Sequence, residues 1–153
     1  MAKIVINNHA EFEAYLEKIM GESEYHQITQ DQINLFADAT LDHQWIHTDE
    51  ERAKASPFGS TIAHGYLTLS LMPYLWEQIA QFNNVKMLVN YGIEKLKFGQ
   101  AVKVNSEVKL TAKLKALANL RGISKAEVEA TLEIKGEKKP AFVGTMVFLY
   151  HFE

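Results

Sequence analysis

Two rhythms of apolar and polar residues divide this chain. In its second half the period is two. Val102, Val104, Val108, Leu110, Ala112 and Leu114 alternate with Lys103, Asn105, Glu107, Lys109, Thr111 and Lys113, and Ala126, Val128, Ala130, Leu132 and Ile134 alternate with Glu127, Glu129, Thr131, Glu133 and Lys135. Such a pattern predicts strands with one side on a core and the other in water. Gly136 to Lys139 reads as a hairpin turn and Phe142 to Phe152 as a final long strand, while Val85–Tyr91 and Ile93–Phe98 supply two earlier ones.

The first half follows the helical period. Asn8 and Glu11 form a capping box ahead of Phe12, Leu16 and Ile19, which predicts a helix ending at Gly21. Thr29 and Gln32 open a second helix, whose stripe of Ile33, Phe36 and Ala37 runs out near Leu41. From Gly65 to about Phe82 apolar residues lie on nearly every side, so this helix is expected to be buried, with a kink at Pro73. Between His47 and His64 an ordered loop is expected, with a helical turn around Glu51 to Ala55.

No strand–helix alternation suggests a parallel sheet. The elements predict an α+β architecture: a curved antiparallel sheet wrapped around one long buried central helix. Length and composition fit one domain over 1–153, with a short strand and helix extension over about 1–24. A chain of 153 residues, 47% hydrophobic, can bury a core of its own. An unpaired sheet edge would be blunted by pairing with a second copy, so a homodimer is expected.

Charge and cysteine content narrow the chemistry. The net charge of −3 leaves no footprint for nucleic acid, and the absence of cysteine removes thiolate chemistry and Cys-based metal sites. No apolar run has membrane-spanning length and the N-terminus turns polar early, so no membrane partner and a cytoplasmic location are expected.

Two short stretches carry candidate chemistry. In Asp42-His43-Gln44-Trp45-Ile46-His47 a carboxylate and an imidazole lie five positions apart, close enough for a bend to bring them over one point. In Ile62-Ala63-His64-Gly65 a glycine at a helix start offers a bare N–H to a carbonyl oxygen. Other readings stand beside these. An Asp just past a helix also closes side-chain-to-backbone turns, a His in a loop is often structural, and a glycine before a helix is a common cap.

Taken together, Phe36 to His47, Pro57 to Leu71 and Val89 to Phe98 resemble the MaoC-type (R)-specific enoyl-CoA hydratases of the hot-dog fold, and within them the NodN-like branch. The resemblance implies that Asp42 and His47 hold the attacking water while the Gly65 amide donates to the thioester carbonyl. It implies an acyl-CoA substrate, no metal and no cofactor. Candidate substrate contacts are Ile62, Ala63, His64, Pro73, Trp76, Asn90, Tyr91 and Lys97. His64 also reads as an orienting or packing residue, Pro73 and Trp76 as plain core, and Lys95 and Lys97 as a solvated strand face. Where many relatives have Asn-Pro this chain has Gln44-Trp45, so Trp45 packing and a Gln44 hydrogen bond are expected to hold that loop. A hot-dog thioesterase and a non-catalytic acyl-CoA-binding module are the competing functions.

Overall fold

The computed structural model describes residues 2–153; Met1, the first residue of the expected domain, lies outside them. In chain order the elements are β1 (Ile4–Ile6), α1 (His9–Glu13), β2 (Ile19–Glu22), β3 (His26–Gln27), α2 (Gln30–Thr40), α3 (Trp45–Thr48), α4 (Glu50–Lys54), α5 (Gly65–Ser70), α6 (Met72–Ile79), β4 (Ala80–Phe82), β5 (Val85–Phe98), β6 (Glu107–Leu120), β7 (Ile123–Ile134) and β8 (Phe142–Phe152). The main sheet runs β2-β6-β7-β8-β5, with β3 also on β6, and its pairings are antiparallel. A small parallel pair joins β1 to β4.

Alternation in β6 and β7 does what the period of two requires. Val108, Leu110, Ala112 and Leu114 on β6, with Ala126, Val128, Ala130 and Leu132 on β7, are fully buried. They form one core with Leu67, Leu71, Met72, Leu75, Trp76 and Ile79 of α5 and α6. The sheet is thus wrapped against a helical spine, as expected.

That spine differs from one long buried helix. It is divided at Leu71 into α5 and α6, and Pro73 sits in the first turn of the second segment. The bonds Leu71 N–H to Leu67 O and Leu75 N–H to Leu71 O flank the break, so the missing proline donor interrupts the ladder without ending the helical path. Nor is it buried all round, since Tyr66 and Tyr74 are more than half exposed.

The helix expected over Asn8–Gly21 stops at Glu13. Its cap forms, with the Asn8 side chain accepting the Glu11 N–H at 2.9 Å, but the Glu11 carboxylate reaches back to the Asn7 N–H instead of closing the box on Asn8. The chain then turns through Glu17 at φ 64°, and the Glu17 N–H donates to the Leu114 carbonyl, drawing Ile19–Glu22 into the sheet as β2. Pairing with β6 outweighs the helical stripe, and Ile19 is left 69% exposed.

Two strand boundaries also move. Val85–Tyr91 and Ile93–Phe98 are one strand, with a register irregularity at Asn90/Gly92 where a gap was expected and others at Val85/Met87 and Glu94/Lys97. Val102–Ser106 is outside β6. There the Val102 carbonyl accepts the Ala63 N–H at 2.8 Å and the Val104 N–H donates to the Thr61 carbonyl at 3.0 Å. The stretch anchors the segment leading into α5.

Candidate active site

Helix α2 ends at Leu41 in the left-handed conformation, φ 67°, which turns the chain sharply into Asp42. The exposed Asp42 carboxylate accepts the Gln44 N–H at 3.3 Å, a local turn of the ordinary kind. The Gln44 carbonyl accepts the His47 N–H at 3.0 Å and starts α3, which aims His47 inward. The expected Gln44 hydrogen bond is made by its main chain, whose N–H and carbonyl form the two bonds above, while Trp45 lies under the Arg52 guanidinium at 4.2 Å.

His47 is 7% exposed. One ring nitrogen, Nδ1, donates to the Ile62 carbonyl at 2.7 Å, and because a carbonyl only accepts, the neutral ring keeps its lone pair on Nε2. Burial holds the His47 pKa below its usual value of 6.5. The Ile62 bond and the Asp42 charge oppose that shift, and a charge on His64 would add to it.

The Asp42 carboxylate, His47 and His64 bring ligand-type atoms within 4.8 Å of one another. The set suits a divalent cation poorly. Two imidazole nitrogens already donate to the carbonyls of Ile62 and Asp42, and of the two left, His64 Nδ1 is sealed from solvent. What the arrangement offers is an exposed carboxylate beside a buried neutral imidazole.

A cavity of about 220 Å³ is lined by His47, Ile62, Ala63, Gly65, Thr68 and Phe98, among others. Gly65 is the first residue of α5, where a main-chain N–H has no acceptor in its own helix. A β-carbon there would meet the Phe98 ring at 3.1 Å, so glycine also lets that aromatic close over the helix start. The six-residue α5 contributes little helix dipole, so the main-chain N–H is the group this helix start offers.

A second groove of about 290 Å³ is lined by Leu69, Pro73, Asn90, Met146 and Phe148 among others. Pro73 and Asn90 meet there, and Tyr91 is exposed on β5. Trp76 does not join them. It is 1% exposed and its indole N–H donates to the Tyr150 hydroxyl at 2.7 Å. Lys97 is exposed on β5 and lines neither space.

Sequence reasoning missed Gln30 and Thr61. The Gln30 amide donates to the His47 carbonyl at 2.8 Å and accepts the Thr61 hydroxyl at 2.5 Å. Both residues looked like ordinary polar positions at a helix start and in a loop, and only the crossing of α2 over α3 gives them a task.

An antiparallel sheet wraps a broken helical spine, and His47, beside the Asp42 carboxylate, shares a cavity with Gly65 at the start of that spine. The chain belongs to the MaoC-like domain family, whose model matches residues 11–137. It is 46% identical over 135 residues to "3-hydroxyacyl-thioester dehydratase Z" of Mycobacterium tuberculosis, covering 88% of this chain and 89% of that protein. It is 38% identical over 138 residues to "Nodulation protein N" of Rhizobium leguminosarum bv. viciae, covering 88% and 85%. The fold matches that of the "(R)-hydratase from A. caviae involved in PHA biosynthesis" with a TM-score of 0.70 at 23% identity, over 86% of this chain and 95% of that one.

Proposed function

We propose that this protein adds water to trans-2-enoyl-CoA to give (R)-3-hydroxyacyl-CoA, and catalyses the reverse dehydration. The observation that carries this reading is the state of His47. It is buried, locked by Ile62 with Nε2 unprotonated, and placed beside the Asp42 carboxylate on a cavity shared with Gly65. A dehydratase acting on 3-hydroxyacyl thioesters among the similar proteins supports the substrate class.

In the hydration direction a water held between Asp42 and His47 gives a proton to His47 Nε2 as its oxygen bonds to C3. The alkene electrons move onto the thioester carbonyl, whose growing negative charge is met by the Gly65 N–H. The dyad returns a proton to C2, and the sum is one water added. Ile62 and Ala63 wall the reacting end, and Pro73 and Asn90 flank the groove suited to an acyl chain. These steps call for neither a redox group nor a metal.

A second copy of the chain is the partner that fits β5. This edge strand exposes Met87, Leu88, Val89, Tyr91 and Ile93, and edge-to-edge pairing would cover them.

The test is to mix purified protein with crotonyl-CoA and a longer trans-2-enoyl-CoA, follow the loss of enoyl absorbance and resolve the product on a chiral column. Hydration to the (R)-alcohol is expected; no hydration, or free CoA released instead, defeats the reading. Because burial keeps His47 neutral, the rate is expected to hold through neutral pH and to fall only on acidification below 6.5.

A further inference from the structure

His64 is one of the buried polar residues beside the candidate site. It is 3% exposed, with the tilted Phe36 ring at 4.9 Å and the His47 ring stacked on it at 3.8 Å and 22°. The ring Nε2 lies 3.0 Å from the Asp42 main-chain carbonyl. Among the described residues its Nδ1 is the one buried side-chain nitrogen or oxygen without a hydrogen-bond partner. A histidine kept for packing alone would be a poor choice, since an unpaired buried polar atom costs stability that an apolar ring would not.

The bonding settles which hydrogen the ring carries. Asp42 offers a carbonyl, which accepts only, so Nε2 is the protonated nitrogen and Nδ1 is bare. His64 Nδ1 meets no partner, in a ring that lies face to face with His47. The titratable groups that meet in this cluster are Asp42, at the end of α2, and the two histidines themselves; Gln30 and Phe36 from α2 are uncharged.

We propose that His64 is a positioning residue for the reaction: its N–H fixes the Asp42 main chain, its ring face fixes the His47 imidazole, and its backbone starts the helix that presents Gly65. The proposal rests on the hydratase reading for its consequence in turnover. It gives one buried side chain the task of holding the three groups that meet substrate. The His64 carbonyl accepts both the Leu67 and Thr68 N–H groups, at 3.0 and 3.2 Å, so any shift of His64 moves the start of α5 as well.

Two variants separate the parts. His64→Phe keeps a ring against His47 and removes both the donor and the orphaned nitrogen, whereas His64→Gln keeps an amide donor and removes the ring. For each, thermal melting establishes folding, steady-state hydration gives kcat and KM, and nitrogen-15 NMR follows the His47 imidazole through a pH titration. Misplacing a reacting group by about 1 Å can cost on the order of 100-fold, so kcat is expected to fall about that far in both variants with KM unchanged. In His64→Gln the acid limb of kcat/KM and the His47 titration are expected to move together toward pH 6.5, the ordinary imidazole value. A merely structural role would lower the melting temperature and leave both where they were. Wild-type kcat together with a wild-type His47 titration in either folded variant overturns the proposal. If the unmodified protein hydrates no enoyl thioester, the hydratase reading falls, and the His47 spectra of the two variants still decide whether His64 positions that ring.

Discussion

Along β7 the side chains of Ala126, Val128, Ala130 and Leu132 are buried one after another, each with cross-strand neighbours on both β6 and β8. Between Asp42 and Gly65 the buried polar side chains are His47, Thr61 and His64, and each is held by a single hydrogen bond. The sheet is redundant, so the loss of one contact leaves many. The rim segment is not, and each of its bonds fixes one direction of one ring or hydroxyl. Substitutions in the first region are expected to change stability, and those in the second to change chemistry.

The largest effect is expected where the two regions differ most. Asp42→Asn and His47→Gln should each lower the hydration rate by about 10²- to 10⁴-fold, the range typical of acid–base groups. For Asp42→Asn the melting temperature should barely move, since Asp42 is exposed and its bond to the Gln44 N–H can be kept by an amide oxygen. Full turnover in either variant, measured on crotonyl-CoA, would remove that residue from the mechanism.

Leu114→Ala reverses the comparison. Leu114 is fully buried on β6 and does not line the His47 cavity. Its truncation should destabilise the fold by about 2–5 kcal/mol in denaturant titration, with kcat per folded molecule retained. A fall in kcat without loss of stability would show the sheet and the rim to be coupled.

The same contrast governs what the sequence disclosed. β6 and β7 were legible because their alternation is enforced by one buried face, and both helix caps were legible because Asn8 and Thr29 act on neighbours three residues away. Ile19–Glu22 was misread because a helical stripe is a local signal, whereas its partner on β6 lies about ninety residues further along the chain. The spacing of Asp42 and His47 disclosed the pair, and the family resemblance gave it a role. The Ile62 carbonyl that sets the His47 tautomer was invisible, since any residue at 62 has a carbonyl. The His64 stack was equally hidden, for nothing in Ile62-Ala63-His64-Gly65 says that two imidazoles lie face to face.

Gln30 gives the smallest effect and the finest test. Its amide donates to the His47 carbonyl and accepts the Thr61 hydroxyl, so it touches the main chain of His47 and none of its ring. Gln30→Ala leaves a buried hydroxyl unpaired and should cost about 1–3 kcal/mol of stability. Its effect on turnover should be about tenfold, the equivalent of about 1.4 kcal/mol in the barrier, because the Ile62 bond and the His64 stack still hold the imidazole. Thr61→Val separates the two contributions, since it removes the hydroxyl and leaves the bond from Gln30 to His47. Stability is expected to fall while kcat stays at the wild-type level. If Thr61→Val lowers kcat as far as Gln30→Ala does, Gln30 acts through the packing of the loop, and the boundary between redundant scaffold and singly held site lies closer to His47 than α2.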